Sequence, residues 1–482
     1  MNWYLLAIVF YAVLLVAIGW FIGKKVTGAG AFFVAGRNLD TRLLFTSLIA
    51  ANIGAGSTVG VAGIGYQYGL SSWWWIGSSA IGSLFLAYWV GPKIWRVATK
   101  HKLYTLGDYL ELRYCRAFRG VISAMLAMGT LALFSGQLIG ISWILTVISG
   151  LDKIWGIIMG SIVVTLYFSA GGLLSATIVN LVEIAVIFAG FLIAAPYTLA
   201  YVGGWDNLYA MVAANQGQAA MTADYFAWDG IGLTTILGYL IMLVPAFCIS
   251  PGLIGKVYGA KDEKTVRWGT ALNGFVQFGF AFLPAIIGMC AFAAFPNLGN
   301  REMALPMAMK EMMPLGASAL ALAAIFAAEV STADAVLYML TTSISKDLYK
   351  TFFKPDLSDA GLLSVSRKIT LVCGVLGIAL AVLLPTILTA LQIFYSLMSV
   401  SLAAPLVFGL FSKRASSAGA FISAGGGVLL TLLLQFGNHG KGIWILNATS
   451  TGILCSLALM LLSLFLLPQK KDSAGNKDTE SE

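Results

Sequence analysis

Charge is what this sequence has least of: only 10% of its 482 residues are Asp, Glu, Lys or Arg. Beside a hydrophobic share of 59% and a mean hydropathy of +0.87, that scarcity excludes both a soluble globular domain and a disordered chain. Histidine is nearly absent. The two present, His101 and His439, are far apart in the chain, so a histidine-based catalytic or zinc site is excluded. The five cysteines, Cys115, Cys248, Cys290, Cys373 and Cys455, show no CxxC spacing, and no disulfide framework or metal cluster is implied. A cleavable leader is not expected either. The first apolar run, Trp3 to Gly23, has no basic segment before it and is followed by Lys24 and Lys25 in place of a small-residue cleavage site, so it reads as a retained helix. No nucleophile-and-base pair stands out, which argues against an enzyme.

Long apolar runs are what the chain has instead. A helix needs about 20 such residues to cross the hydrocarbon core, and thirteen spans are expected, centred near residues 12, 55, 84, 133, 163, 189, 243, 280, 331, 376, 399, 427 and 456. In lipid, backbone polar groups must be satisfied within the segment, so the fold class is an all-α integral membrane protein. Inner loops carry the Lys/Arg excess of such proteins. With the N-terminus outside, all 29 Lys and Arg except Lys153, Arg301, Lys310 and Lys441 fall on the inner side, the stretch from Lys256 to Arg267 included. The expected location is the cell membrane, multi-pass, with the C-terminus cytoplasmic. The net charge of +8 then reports orientation and gives no reason to expect nucleic acid. Residues 203–230, with Asp206, Asp224 and Asp229, and residues 296–314 read as long outer polar loops. The lipid bilayer is one partner, a small molecule the other, and no obligate protein partner is evident.

Two spans contain breaks. Around residue 55, Gly54 and Gly56 flank Ala55 between Asn52 and Ser57, and each glycine costs a helix about 1 kcal/mol relative to alanine. Close helix packing is the alternative use of small residues there. Around residue 243, Pro245 and Pro251, followed by Gly252, make a continuous helix improbable; a simple kink is the alternative. Each broken span opens a set of five. An odd count inverts one set relative to the other, and paired interrupted helices at matching positions point to a transporter's binding site. The chain 1–482 thus reads as a single membrane transporter domain: an extra helix at 2–23, a first repeat at 42–201, a second at 231–412, two further helices at 416–467 and a cytoplasmic tail at 468–482. In AAEVSTADAV, Ala328, Ser331 and Thr332 are spaced i, i+3, i+4 and share one helix face. Two hydroxyls facing carbonyls freed at the break suit a hard monovalent cation such as sodium; bonding back to their own helix is the other reading. Glu329 and Asp334, carboxylates inside a span, default to a functional role. Gln137, beside Ser135 and Gly136, is either a substrate contact or an interhelical hydrogen bond. Trp73, Trp74 and Trp75 read as an interfacial belt.

Several motifs, in order, carry a family resemblance: FFVAGRNL at 32–39, SLIAANI in the first broken span, TLGDYLELRY at 105–114, AGGLLSATIVNLVEI at 170–184, SPGLIGKVYGAKD at 250–262, and VSTAD followed by SKDLY. Together they resemble the sodium:solute symporters, which share the inverted five-plus-five fold of the leucine-transporter type. The resemblance implies sodium held by the carbonyls of Ala50, Ile53 and Ala328 and the hydroxyls of Ser331 and Thr332. It also implies substrate contacts at Asn52, Gly56, Ser57, Ser79, Gln137, Ser250 and Pro251, and a coupling or ion path through Asn180, Glu183, Glu329 and Asp334. Departures matter here. Asn180 replaces the family's usual aspartate, which favours a single coupled ion; Glu183 stands where a glutamine is common, and Glu329 where an apolar residue is usual. Proton coupling through Glu183, Glu329 or Asp334 therefore stays open as the alternative, as does a sensor that binds without transporting. The sugar branch places polar groups at positions that here read Gly56, Ser57, Ile76 and Ser250, too few for a polyol. A choline branch relies on aromatic cages, and the two broken helices offer no tryptophan. Pro251 matches the branch that carries proline, pantothenate and other carboxylates, although Gly252 replaces its usual histidine. The expected substrate is a small carboxylate or amino-acid-like metabolite, imported by alternating access.

Overall fold

The computed structural model describes residues 3–23, 34–216, 219–438 and 440–469. Lys24, Lys25, the start of FFVAGRNL, His439 and the tail beyond residue 469 lie outside them. Every regular element among the described residues is helical. In chain order these are α1 (Trp3–Gly23), α2 (Thr41–Asn52), α3 (Gly56–Lys100), α4 (Leu106–Arg113), α5 (Arg116–Ser149), α6 (Lys153–Tyr201), α7 (Trp205–Gln216), α8 (Ala219–Phe226) and α9 (Leu233–Ile249). Then follow α10 (Pro251–Tyr258), α11 (Glu263–Ala294), α12 (Ala304–Glu311), α13 (Leu315–Phe353), α14 (Asp359–Leu383), α15 (Ile387–Phe411), α16 (Ser417–Gly437) and α17 (Ala448–Leu466).

Side chains start many of these helices by accepting N–H groups that have no partner inside the helix. Asp40 takes the Leu43 N–H ahead of α2 at 2.8 Å, Asp262 the Thr265 N–H at the start of α11 at 2.7 Å, and Thr105 with Asp108 forms a reciprocal capping box on α4. All three lie toward the face that carries Arg96 and Arg267, which share Glu263; we call it the basic face. Lys153, Arg301 and Lys310 gather at the opposite face: Lys153 lies over the Trp143 ring and Lys310 donates to Val147 O at 3.0 Å.

Burial ranks the helices. The apolar window of α13 is 94% buried, against 33% for α14 and 28% for α16, so α13 runs through the middle while the other two face lipid. Its small residues from Ala321 to Ala328 let neighbouring backbones approach closely. A Cβ on Gly190 of α6 would sit 2.3 Å from that of Ala324.

By length and composition nine described helices qualify as membrane spans, or up to ten when the bent pair α2 and α3 is one span, against the thirteen expected. The shortfall has two physical sources. Breaks divide some spans, and the apolar stretches Trp3–Ile18 and Lys153–Leu166 are short. Helix α6, at 49 residues, is the converse case, since about 74 Å of helix far exceeds a hydrocarbon core of about 30 Å. Lys153 at its start lies on Trp143 and Thr198 near its end interacts with Cys290; within the run, Ala176–Tyr201 qualifies as a span and Lys153–Leu166 is a shorter apolar stretch. Two expectations are corrected. The long outer loops are largely helical, as α7, α8 and α12, with Tyr225 donating to Gly65 O at 2.7 Å. Lys256 belongs to no loop: it is 1% exposed inside α10.

Candidate functional site

Helix α2 stops at Ile53, whose φ of −97° and ψ of 89° take it out of the helix. The chain resumes as α3 at an angle of 59°. Packing against α13 and α5 is what requires glycine at this break. A Cβ on Gly54 would lie 2.4 Å from Thr332 Oγ1 and 2.7 Å from Gln137 Oε1. Gln137 in turn holds the break open by accepting the Ala55 N–H at 2.9 Å. Both readings of Gln137 thus meet in one residue, because it makes this interhelical bond and also lines a cavity.

The expected ion ligands converge. Ser331 Oγ donates to Ala50 O and Ala328 O, each at 3.1 Å, and Thr332 Oγ1 donates to Ala50 O at 2.9 Å. Four of the five, Ala50, Ala328, Ser331 and Thr332, are therefore joined by hydrogen bonds, and the fifth, Ile53, is the residue at which the helix ends. The hydroxyls bond across to α2, and Ser331 also bonds back within α13. The oxygens are hydroxyl and carbonyl, a hard, neutral set suited to a monovalent cation.

A cavity of about 50 Å³ adjoins this cluster, room for a few water-sized groups. Asn52, Gly56, Ser57, Gln137 and Ser250 line it as expected, together with Thr332. Ser57 Oγ donates to Asn52 O at 2.7 Å, and Asn52 Nδ2 donates to Asn273 Oδ1 at 3.2 Å. Ser79 and Pro251, expected at the substrate site, are placed elsewhere. Ser79 bonds Gln277 Oε1 at 2.8 Å in a polar seam between α3 and α11. Pro251 lines a second cavity of about 20 Å³ toward the basic face. Met339 borders both cavities.

Sequence reasoning missed the aromatic wall. Phe247, Phe394 and Tyr395 line the first cavity, and Trp75 packs edge-on to Tyr239 and Tyr395 with ring centroids 5.1 and 6.3 Å away. Of the three tryptophans read as a belt, Trp75 is instead buried at 3% exposure, with Nε1 placed 3.5 Å from where a Gly56 Cβ would be. Nothing in the WWW run separates its third member from the other two. Thr58 was missed as well: its Oγ1 lies 2.9 Å from both Glu329 Oε1 and Gly54 O.

The four coupling candidates divide into two groups. Glu329 lies one turn before Thr332 on α13, with its carboxyl against Gly140 of α5 and Oε2 without a hydrogen-bond partner. On the basic-face side, the Asn180 amide, turned to donate, reaches Glu183 Oε2 at 3.0 Å. Glu183 and Asp334 are the acidic neighbours of Lys256, whose Nζ donates to Ser47 O. The signal for Lys256 was present in PGLIGKVYG, where the apolar run continues past the lysine.

Beyond the second cavity stands an ion network. Arg119 reaches Asp347 Oδ1 at 2.6 Å, Asp108 Oδ1 at 2.9 Å and Glu111 Oε2 at 2.7 Å; Lys346 pairs with Asp108, and Thr105 donates to Asp347 at 2.6 Å. Burial pushes the Asp108 carboxyl up, but Lys346 and Arg119 outweigh it and hold it below the usual carboxylate range.

The sequence matches the sodium:solute symporter family over residues 32–427. It is 24% identical to a sodium/glucose cotransporter of Vibrio parahaemolyticus over 88% of this chain and 84% of that protein. With a sodium/pantothenate symporter of Escherichia coli (strain K12) it shares 28% identity over 86% of this chain and 87% of the relative. The fold superposes on that of a substrate-bound, outward-open Na+-coupled sialic acid symporter with a TM-score of 0.79 at 18% identity, covering 97% and 98% of the two chains. A nucleobase-cation-symport-1 family transporter with bromovinylhydantoin bound aligns at a TM-score of 0.59 and 12% identity, over 90% of this chain and 92% of the other. The architecture is thus the leucine-transporter-type fold, and the relatives are transporters, not enzymes. The chain belongs to the sodium:solute symporter family, and sodium is the ion it couples.

Proposed function

We propose that the protein imports a small organic carboxylate or amino-acid-like metabolite together with one sodium ion by alternating access. The observation that carries this reading is Thr332, whose hydroxyl belongs to the Ala50 cluster and whose side chain also lines the cavity. Substrate and ion then share a wall, and each favours the conformation in which the other binds. Sodium would take the lone pairs of Ser331 and Thr332 and the carbonyls of Ala50, Ile53 and Ala328.

The cavity's lining supports the substrate class. No lining side chain carries a charge, and apolar and aromatic groups make up most of the wall. Polar recognition falls to Asn52, Ser57, Ser250 and Gln137. The Gln137 Oε1 is fixed on Ala55 N–H, which leaves its amide N–H groups to donate. A carboxylate is served by such donors and by the N-terminal end of α10 behind Ser250, with the neighbouring sodium ion as counter-charge. A polyol needs more hydrogen-bonding side chains than these. The Escherichia coli relative is a sodium/pantothenate symporter, which agrees with this choice.

We assign the basic face to the cytoplasm, the N-terminus to the outside, and the two repeats to residues 42–201 and 231–412. Asn180, Glu183 and Asp334 then lie on the inner route of the ion, and Glu329 on its outer side. Uptake into proteoliposomes tests the function. A panel of labelled small carboxylates, amino acids and hexoses is offered with an inward sodium gradient, an inward proton gradient, or neither. Accumulation of a carboxylate or amino acid under the sodium gradient alone is the expected result; uptake driven by protons without sodium, or binding without accumulation, contradicts it.

A further inference from the structure

We propose that the ammonium of Lys256, held on the Ser47 carbonyl, is a tethered cation on the inner route from the sodium site, doing there what a second sodium ion would otherwise do. The inference rests on the ion site proposed above.

Lys256 is 1% exposed, so its charge is tolerable only where opposite charge and acceptors surround it. Three different helices supply them. Helix α2 contributes the Ser47 carbonyl, which accepts from Nζ; Glu183 of α6 and Asp334 of α13 act on it through space as the nearby acidic groups. Glu183 Oε1 has no hydrogen-bond partner, and its Oε2 takes the Asn180 amide, so the carboxylate is oriented and still has acceptor capacity.

Position gives this cluster its role. Ser47 precedes Ala50 by three residues on α2, about 4.5 Å along the axis, and Asp334 follows Thr332 by two residues on α13. Both steps run from the sodium site toward the basic face. The ammonium therefore stands about one helical turn inward of the ion and repels it. Helix α10, which carries Lys256, is the half-helix that begins after the break at Ser250. Displacement of α10 during inward opening withdraws the ammonium and exposes the two carboxylates to the departing sodium ion. This accounts for a single coupled ion by means of a resident cation, in addition to the neutral Asn180.

The test is equilibrium binding and dilution-driven release of radioactive sodium on the purified full-length protein. Lys256→Gln is expected to bind sodium on the order of tenfold tighter and to release it correspondingly slower. Lys256→Arg keeps the wild-type affinity, and Lys256→Gln combined with Glu183→Gln returns toward it. A purely structural role for Lys256 predicts lower stability with unchanged or weaker sodium binding, and that result overturns the proposal. Where Lys256→Gln does not fold, Glu183→Gln alone is read instead: several-fold weaker binding is expected, and unchanged binding overturns the proposal. Ser331→Ala and Thr332→Ala run in parallel. Their retention of sodium binding would mean that the ion site itself is wrongly placed, whereas its loss beside an unchanged Lys256→Gln rejects only the tethered cation.

Discussion

Replacing Gly54 with alanine is expected to weaken sodium binding at least a hundredfold and to abolish sodium-driven uptake, while the protein still inserts and folds. The added methyl group would lie 2.4 Å from Thr332 Oγ1 and 2.5 Å from Thr332 Cβ, far inside van der Waals contact. Thr332 is β-branched and stiff at χ1, so it cannot swing clear without turning its hydroxyl away from Ala50 O. The same methyl would crowd Gln137 Oε1 at 2.7 Å, and the bond that positions the Ala55 N–H is lost with it. Alanine favours helix over glycine by about 1 kcal/mol, so the loss cannot be ascribed to poorer helix formation. Binding of radioactive sodium by folded Gly54→Ala within threefold of wild type would contradict this account of the break.

Arg119→Met is expected to cost about 3 kcal/mol of stability, the usual loss when one member of a buried ion pair is removed. Arg119 and Asp347 are both nearly buried, with side-chain exposures of 7% and 6%, and Asp108 shares the guanidinium at 2.9 Å. Without Arg119, Asp108 and Asp347 are left with Lys346 as their neighbouring cation. Arg96→Ala is the matched control. That arginine is 59% exposed, so solvent screens its pair with Glu263 and the expected change is under about 1 kcal/mol. Thermal unfolding of the two purified variants in one detergent decides the matter, and equal shifts would remove the network from the account. Asp347 and Ser343 both line the second cavity, so thiol labelling of a Ser343→Cys variant from the basic-face side is expected to quicken in Arg119→Met as well. The Asp108 carboxyl adds a pH dependence. Its folded-state pKa is held below the usual range, so its contribution is complete above the unfolded value near 4 and is lost as pH falls through the depressed one.

The convergence of the proposed ion ligands was legible because its geometry is local. Ser331 and Thr332 share a face of α13 by spacing alone, and Gly54 and Gly56 mark where α2 must end, so one helix face and one break defined the cluster before any packing was known. Family motifs then named the carbonyls. The aromatic wall was not legible for the opposite reason. Phe247 lies some 150 residues before Phe394 and Tyr395 and meets them only because α9 and α15 pack together, while Trp75 differs from Trp73 and Trp74 only in which side of α3 it occupies. Ser79 was misplaced by the same gap. It donates to Gln277 Oε1 of α11, and one turn on in α3 Ser83 accepts from the Asn273 and Gln277 amides. Lys256 was misread because basic residues were counted by sequence neighbourhood, whereas the helix after the proline break keeps the lysine buried within it.

The most direct measurement of the central claim is the melting temperature of the purified protein as sodium replaces choline at constant ionic strength, in wild type, Ser331→Ala and Thr332→Ala. A ligand at ten times its dissociation constant adds about 1.4 kcal/mol to the native state. The account predicts a saturable rise with sodium in the wild type, none with potassium, and loss of the rise in both variants. A sodium-dependent rise of wild-type size in Ser331→Ala and Thr332→Ala would contradict it and place the ion elsewhere in the protein.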